Sequence, residues 1–488
     1  MAQLKSLAKD TVIYGLSSIV GRFLNYLLTP LYTHQLAANS GEYGIVTEMY
    51  SYTALMLVLL TFGMETTFFR FINKHEEYNP MHVYSTTLIA VASVGVVFVA
   101  IVLACLSGIA SFLDYTAHPE YIAVMAVCVA IDAFLCIPFA YLRYQRKAVK
   151  FASLKLFNIA LSIVLNLLFF YFLPLWVEGF EIRVGNVFYI NLFCTLILLP
   201  LLSRELRGFP WVFDKRLMRK MWQYAWPILL LGIAGILNQT ADKIIFRHLV
   251  TGEEGKVQLG VYGACVKIAM IMAMITQTFR YAYEPFVFAG EKDKDSKQTY
   301  ARAMKYYLIF TLLAFLIVVA YLDILKYIIA ADYWQGLRVV PIVMAAEIMM
   351  GVYFNLSFWY KLIDRTIWGA WFSGIGCAVL IAINIVFIPV YGYMACAWAG
   401  FAGYATSMVL SYFVGQKYYP IDYPLKSMGA YVLITLFFFT AMQMVPAEWP
   451  LWLRLSVNTL CIVLFIAHVV HYDFPLQSLP VVGKYFRK

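Results

Sequence analysis

The chain has 488 residues, of which 62% are hydrophobic and only 13% charged, with a formal net charge of +10. Soluble domains carry about 25% charged residues, so an ordinary soluble enzyme or binding module is excluded and an integral membrane protein is expected. Because Lys and Arg concentrate in short connections, the positive charge is a topology signal and requires no nucleic-acid partner.

A bilayer crossing takes about 20 apolar residues, and such windows follow one another almost end to end. Helices are expected at roughly 11–33, 43–69, 83–109, 119–142, 151–174, 184–203, 222–245, 259–284, 302–329, 337–360, 366–388, 393–414, 427–445 and 450–470. The fold class is therefore an all-α integral membrane protein of about fourteen spans. The alternating strands of about 10 residues that build a transmembrane barrel do not occur. The first apolar segment is long and lacks a small-residue cleavage site, so it is expected to stay as the first span.

The first span carries a polar stripe: Tyr14, Ser18, Arg22, Asn25 and Thr29 step by three or four residues and share one helix face. A central Arg costs about 2.5–3.5 kcal/mol on insertion scales, so this face is expected to look onto a wet cavity, or else Arg22 pairs with an acid. Asp132 lies deep in the fourth span. Lys155, Asn158, Ser162 and Asn166 make a second stripe in the fifth, either a cavity wall or an interhelical hydrogen-bonding face. The basic segment 204–221 follows the sixth span and is expected to lie on an anionic leaflet. It separates an N-terminal lobe (1–203) from a second lobe (222–414), with residues 415–488 adding two spans and a tail.

In the seventh span, "NQTADKIIFRH" sets Asp242 beside Lys243 near the end of an apolar run. Lys267 lies inside the eighth span and Glu347 inside the tenth. Two arrangements stay open for the deep charges. Arg22 can pair with Asp132 and Lys267 with Glu347, or the bases stay free for an anionic ligand while the acids take a coupling Na+ or H+.

Two further patterns organise the chain. With the N-terminus inside, the cytoplasmic connections collect most Lys and Arg, leaving Arg183, Arg247, Lys256, Lys326 and Arg338 for the other side. Both termini then lie in the cytoplasm. "GEYG" (41–44) joins the first two spans and "GVYG" (260–263) the pair after the linker. At the same offset Glu65 falls on Glu284. Parallel repeats of this kind place a substrate site at their interface. All eight Cys fall within expected spans without a CxxC pair, and the seven His are scattered. Neither a disulfide framework, a metal site nor a catalytic constellation is indicated.

"YAWPILLLGIAGILNQTADKIIFRHLV…GVYGACVKIAM" is similar to the seventh-to-eighth-span pattern of polysaccharide-type flippases of the multidrug/oligosaccharidyl-lipid/polysaccharide exporter superfamily. The pattern consists of Pro227, the pair Asp242 and Lys243, then Gly260, Tyr262 and Lys267. "NYLLTPLYTHQL…GEYGIV", "FGMETTFFRF", "YKLIDRT" and "GYMACAWAGFAGYATS" extend the resemblance over nearly the whole length. It implies two six-helix lobes in a V, two extra C-terminal helices, and alternating access. The implied cargo is an undecaprenyl-pyrophosphate-linked oligosaccharide moved from the inner to the outer leaflet of a bacterial cytoplasmic membrane, without a cofactor.

On this resemblance Arg22 and Lys267, with Ser18, Asn25 and Asn158, are candidates for pyrophosphate and sugar. Asp132, Glu347, Asp242 and Lys243 are candidates for coupling or structural ion pairs. Asp242–Lys243 fits a helix-end packing role as well as a substrate contact. Expected partners are the lipid-linked oligosaccharide, membrane lipids and, further out, polysaccharide assembly proteins. Alternatives are a drug/cation antiporter of the same superfamily, against which the central Arg22 argues, a lipid II flippase, and a membrane glycan polymerase or ligase. The last needs a large outer loop that the chain lacks.

Overall fold

The structure is a computed structural model, described for residues 20, 24, 26–73, 77–207, 210–289, 295–363, 365–446 and 448–473, with backbone only at 281–282, 284–286 and 288–289. Among the described residues every regular element is helical. In chain order they are α1 (Leu28–Gln35), α2 (Glu42–Ile72), α3 (Pro80–Ala104), α4 (Pro119–Tyr144), α5 (Ala148–Trp176), α6 (Gly185–Leu201) and α7 (Lys215–Leu249). Then follow α8 (Gly252–Ala289), α9 (Ser296–Ala320), α10 (Val339–Leu362), α11 (Ile367–Tyr391), α12 (Tyr393–Tyr418), α13 (Leu425–Gln443) and α14 (Leu451–Tyr472).

Eleven of these are long and apolar enough to cross a membrane. The shorter α6 has 17 residues, α12 has 26, and α1 is the described end of the first expected span. Each expected span from the second onward thus has its helix. A chain in lipid must satisfy its backbone groups locally, which helices do and open strands cannot.

Local signals set the ends. The Asn79 side chain accepts from Met81 N ahead of Pro80, and Asp214 accepts from Arg216 N and Leu217 N. Both are N-caps that satisfy otherwise orphaned donors. The Asp214 cap starts α7 at Lys215, inside the segment expected as linker, and leaves Pro227 within the helix. α2 bends at Phe62 and Gly63, which both take positive φ.

The chain forms two compact units. The first runs to residue 267 and adds 332–336 and 373–403; the second holds 268–331, 337–372 and the chain from 404 onward. The boundaries fall inside α8, α11 and α12. In the first unit α3 packs on α4, α6 on α4, and α2 on α7, around a core that includes Met64, Phe68, Tyr84, Ala133 and Met221. In the second unit α9 packs against α10, α13 and α14.

The two related tetrapeptides meet within the first unit. A Cβ added to Gly44 would lie 1.9 Å from the Lys256 carbonyl oxygen and 3.1 Å from Gly260 N. α2 and α8 therefore cross backbone to backbone, at a spot where only glycine fits. Small residues let membrane helices approach this closely, and dispersion then replaces the hydrophobic drive that lipid removes. The repeat seen in the sequence is thus a contact: its two copies face each other. The side chain of Glu284, the expected equivalent of Glu65, lies outside the described residues.

Candidate functional site

The charges inside the spans sort into three groups in the first unit. The first surrounds Asp242, which is 6% exposed. Lys243 Nζ donates to Asp242 Oδ1 at 3.0 Å and Oδ2 at 3.1 Å, and to Gln239 O at 2.9 Å. Tyr262 Oη donates to Asp242 Oδ2 at 2.7 Å. Asp242, Lys243 and Tyr262, which stand together in the family-like pattern, are one bonded cluster tying α7 to α8. The acid is neutralised and its oxygens are occupied, which fits a packing role.

Lys267 lies one and a half turns beyond Tyr262 on α8 and is partly buried. Among the described residues, no hydrogen bond or ion pair includes its ammonium. The charge that acts on it most is that of Lys243, which is repulsive. Two bases and one acid leave this patch one positive charge in excess. Glu347 sits on α10 in the second unit, partly buried, and its charge reaches Tyr307, whose hydroxyl is 2.8 Å from Thr276 Oγ1.

The second group joins α4, α5 and α6. Thr195 Oγ1 donates to Asp132 Oδ1 at 3.2 Å, and Cys128 Sγ lies 4.0 Å from Asp132 Oδ2. Lys155 acts on Asp132 electrostatically but forms no ion pair with it. Its Nζ instead sits 4.2 Å from the centre of the Phe139 ring, a cation–π contact. One turn along α5, Asn158 Oδ1 is buried without a hydrogen-bond partner among the described residues. The outer part of that stripe behaves differently. Tyr32 Oη on α1 donates to Asn166 Oδ1 at 2.7 Å, and Asn166 Nδ2 donates to Ser162 O at 2.8 Å. The stripe is therefore interhelical glue at Asn166, a cation–π contact at Lys155 and, among the described residues, an unpartnered amide oxygen at Asn158. Ser18, Arg22 and Asn25, with Tyr14, lie outside the described residues, and so does any pairing of Arg22 with Asp132.

A third group escaped the sequence reasoning. Glu48 of α2, 1% exposed, accepts from Tyr115 Oη at 2.6 Å and faces Arg247 Nε at 3.2 Å. The Nε contact is an ion pair without hydrogen-bond alignment. Arg247 Nη2 donates to Asp114 Oδ2 at 2.9 Å and Nη1 to Val250 O at 3.1 Å. Lys256 Nζ lies 3.9 Å from Asp114. Burial first, then the Glu48 carboxylate, holds the Tyr115 hydroxyl well above the ordinary tyrosine range, so it remains a donor. Glu253 Oε1 also lies 2.9 Å from Lys256 Nζ, so three acids meet two bases here, which fits a structural lock and gives an anion nothing to bind. An acid inside an apolar helix was the available signal for Glu48. Arg247 looked like a loop residue because α7 was expected to end at 245. Asn384 on α11 was also missed: it is fully buried, and neither amide atom has a partner among the described residues.

Two further ion pairs lie near span ends. Arg143 ion-pairs with Glu65, which also accepts from Cys136 Sγ at 3.2 Å, and Lys305 ion-pairs with Asp473 in the second unit.

Comparisons with known proteins agree with this architecture. The sequence pattern of the family described as "Polysaccharide biosynthesis protein" matches residues 7–283, more than half of the chain. No curated protein matches at the level of sequence. Among solved structures, the chain is similar to the lipid II flippase MurJ in an inward closed conformation. The TM-score is 0.74 at 12% identity, covering 94% of this chain and 99% of that one. It is similar as well to a multidrug resistance MATE family transporter of the MOP superfamily in its inward-facing conformation, with a TM-score of 0.66 at 14% identity over 81% of this chain and 93% of that one. A MATE in the straight conformation gives 0.59 at 16% identity, over 85% and 95%. At such identities the likeness establishes the fold, which is one shared by a lipid flippase and by transporters.

Proposed function

Since this chain belongs to the polysaccharide biosynthesis protein family, we propose that it is a flippase for an undecaprenyl-pyrophosphate-linked oligosaccharide. It moves this cargo from the inner to the outer leaflet of a bacterial cytoplasmic membrane by alternating access of two lobes. The observation that carries the reading is Lys267, a cation within a span that no described residue neutralises. An unpaired charge in a low-dielectric setting is costly, and an anionic ligand removes that cost. A diphosphate between a polar glycan and a prenyl tail supplies such an anion. The tail stays in lipid while the headgroup crosses beside Lys267 and the unsatisfied Asn158. Arg22, with Ser18 and Asn25, is the corresponding base of the first lobe. Asp132, which meets hydroxyl and thiol donors and no ion-paired cation among the described residues, and Glu347 are the coupling candidates for H+ or Na+.

The test is Lys267→Ala and Arg22→Ala, with Lys267→Arg as the conservative partner, read as surface glycan against the amount of membrane-inserted protein. Both alanine variants should lose most surface glycan and accumulate the lipid-linked precursor, at normal protein level, while Lys267→Arg retains export. Normal surface glycan in both alanine variants overturns the site. Transport indifferent to both proton and sodium gradients removes the coupling role of Asp132 and Glu347.

The fold likeness to MurJ over almost its whole length favours lipid II as a second cargo. Rescue of cells depleted of their lipid II flippase, with unchanged surface polysaccharide when this gene is deleted, would select that reading.

A further inference from the structure

On the Lys/Arg-rich side of the first unit, α4 turns into α5 through only three residues, Gln145, Arg146 and Lys147. Arg146 takes the left-handed conformation, with φ 54°. The chain leaving α6 at Leu201 folds back beside this turn and brings Arg204, Glu205 and Arg207 to it. Together they enclose an open cavity of about 310 Å³, lined by Lys147, Lys150, Arg204, Glu205 and Arg207 with Gln145 at its wall. That volume is at the lower end of the range for small-ligand sites.

The charge in this cavity is not balanced. Glu205 is the one acid of the lining, is buried, and has both oxygens taken by Lys150 Nζ at 2.7 Å. Lys147, Arg204 and Arg207 then remain without an acid among the described residues. The floor is rigid: Tyr84, fully buried, donates to Glu205 O at 2.8 Å and stacks on Tyr141 with ring centroids 4.3 Å apart. Beside the cations the Gln145 side chain bonds to Tyr141, while its Oε1 atom is buried with no hydrogen-bond partner among the described residues. Three exposed cations around a concave wall accept an anion. An orphaned acceptor next to them accepts a hydroxyl carried by the same ligand.

We infer that this cavity is a binding site for a phosphate-bearing anion at the membrane surface, separate from the cargo path and independent of which cargo is carried. Two sources offer this chemistry: the headgroup of an anionic phospholipid such as phosphatidylglycerol, which brings phosphate and hydroxyls together, and a soluble phosphate. Basic pockets at helix ends on the positively charged side are suited to lipid headgroups, which a bilayer presents at high local concentration.

The experiment uses the full chain purified in detergent. Its thermal midpoint is followed while phosphatidylglycerol, phosphatidylcholine of the same acyl chains, or inorganic pyrophosphate is titrated. The lining variant is Lys147→Gln/Arg204→Gln/Arg207→Gln. A control variant, Lys215→Gln/Arg216→Gln/Arg219→Gln, removes the same charge from the start of α7, outside the cavity. Phosphatidylglycerol should raise the midpoint of the native protein and of the control, with phosphatidylcholine inert. The lining variant should bind roughly a hundredfold more weakly. A response to pyrophosphate that the lining variant lacks, with phosphatidylglycerol silent, assigns the site to a soluble phosphate and still upholds the chemistry. Equal responses from lining and control variants, or no response of the native protein to either anion, overturn the site. If the triple variant does not fold, Arg204→Gln alone should weaken binding about fivefold, and an unchanged affinity there overturns the site equally.

Discussion

Two acid–base pairs in the first unit answer the same problem in opposite ways. Asp242 and Lys243 are sequence neighbours, in direct contact and sealed by Tyr262. Asp132 and Lys155 come from different helices, sense each other's charge, and do not touch. The first pair closes its own electrostatic account inside α7 and α8. The second leaves an acid on a hydroxyl and a base on an aromatic face, with no ion pair for either among the described residues. A closed pair suits packing, whereas an open pair suits a transport cycle, in which charges must be met by something that arrives and leaves.

That contrast can be broken by substitution. The largest effect is expected at the closed pair. Asp242→Ala leaves Lys243 uncompensated and the Tyr262 hydroxyl without its acceptor, which should cost about 3–5 kcal/mol. Loss of folded protein in a detergent thermal-stability assay measures it, and Asp242→Ala/Lys243→Met should recover much of the loss. A stable, fully active Asp242→Ala protein would mean that the pair seals nothing.

The open pair should separate stability from transport. Asp132→Asn keeps an acceptor for Thr195, so the thermal midpoint should move little while export of lipid-linked glycan falls at unchanged protein level. If stability and export fall together, Asp132 belongs with the closed pairs. The smallest effect is expected at Thr195→Val, which removes one donor to Asp132 and costs about 1 kcal/mol. Its informative readout is a shift in the pH dependence of export, which a purely structural threonine would not produce.

Much of this fold was legible from the residues, and for uneven reasons. The spans from 43–69 to 450–470 each have their helix because helix formation and bilayer partitioning depend on residues close together in sequence. The two glycine–tyrosine tetrapeptides announced a repeat, yet nothing in one dimension said that Gly44 and Gly260 would touch. The stripe on α5 was correct as a face but divided in use: Asn166 bonds to Tyr32, 134 residues away, while Asn158 bonds to nothing described. The lock of Glu48 with Arg247 was invisible, because its members looked like one acid in a helix and one base in a loop.

Composition, span length and the distribution of Lys and Arg were thus enough to define an all-helical membrane protein, since each of these rests on local hydrogen bonding and transfer free energy. Which charge meets which partner was decided only in three dimensions. A buried ion finds its partner through the rotation and crossing of helices far apart in the chain, and a shift of one residue on either helix turns a side chain by about 100°. That is why Asp242 is closed by Lys243 and Tyr262 while Lys267 has no ion pair among the described residues.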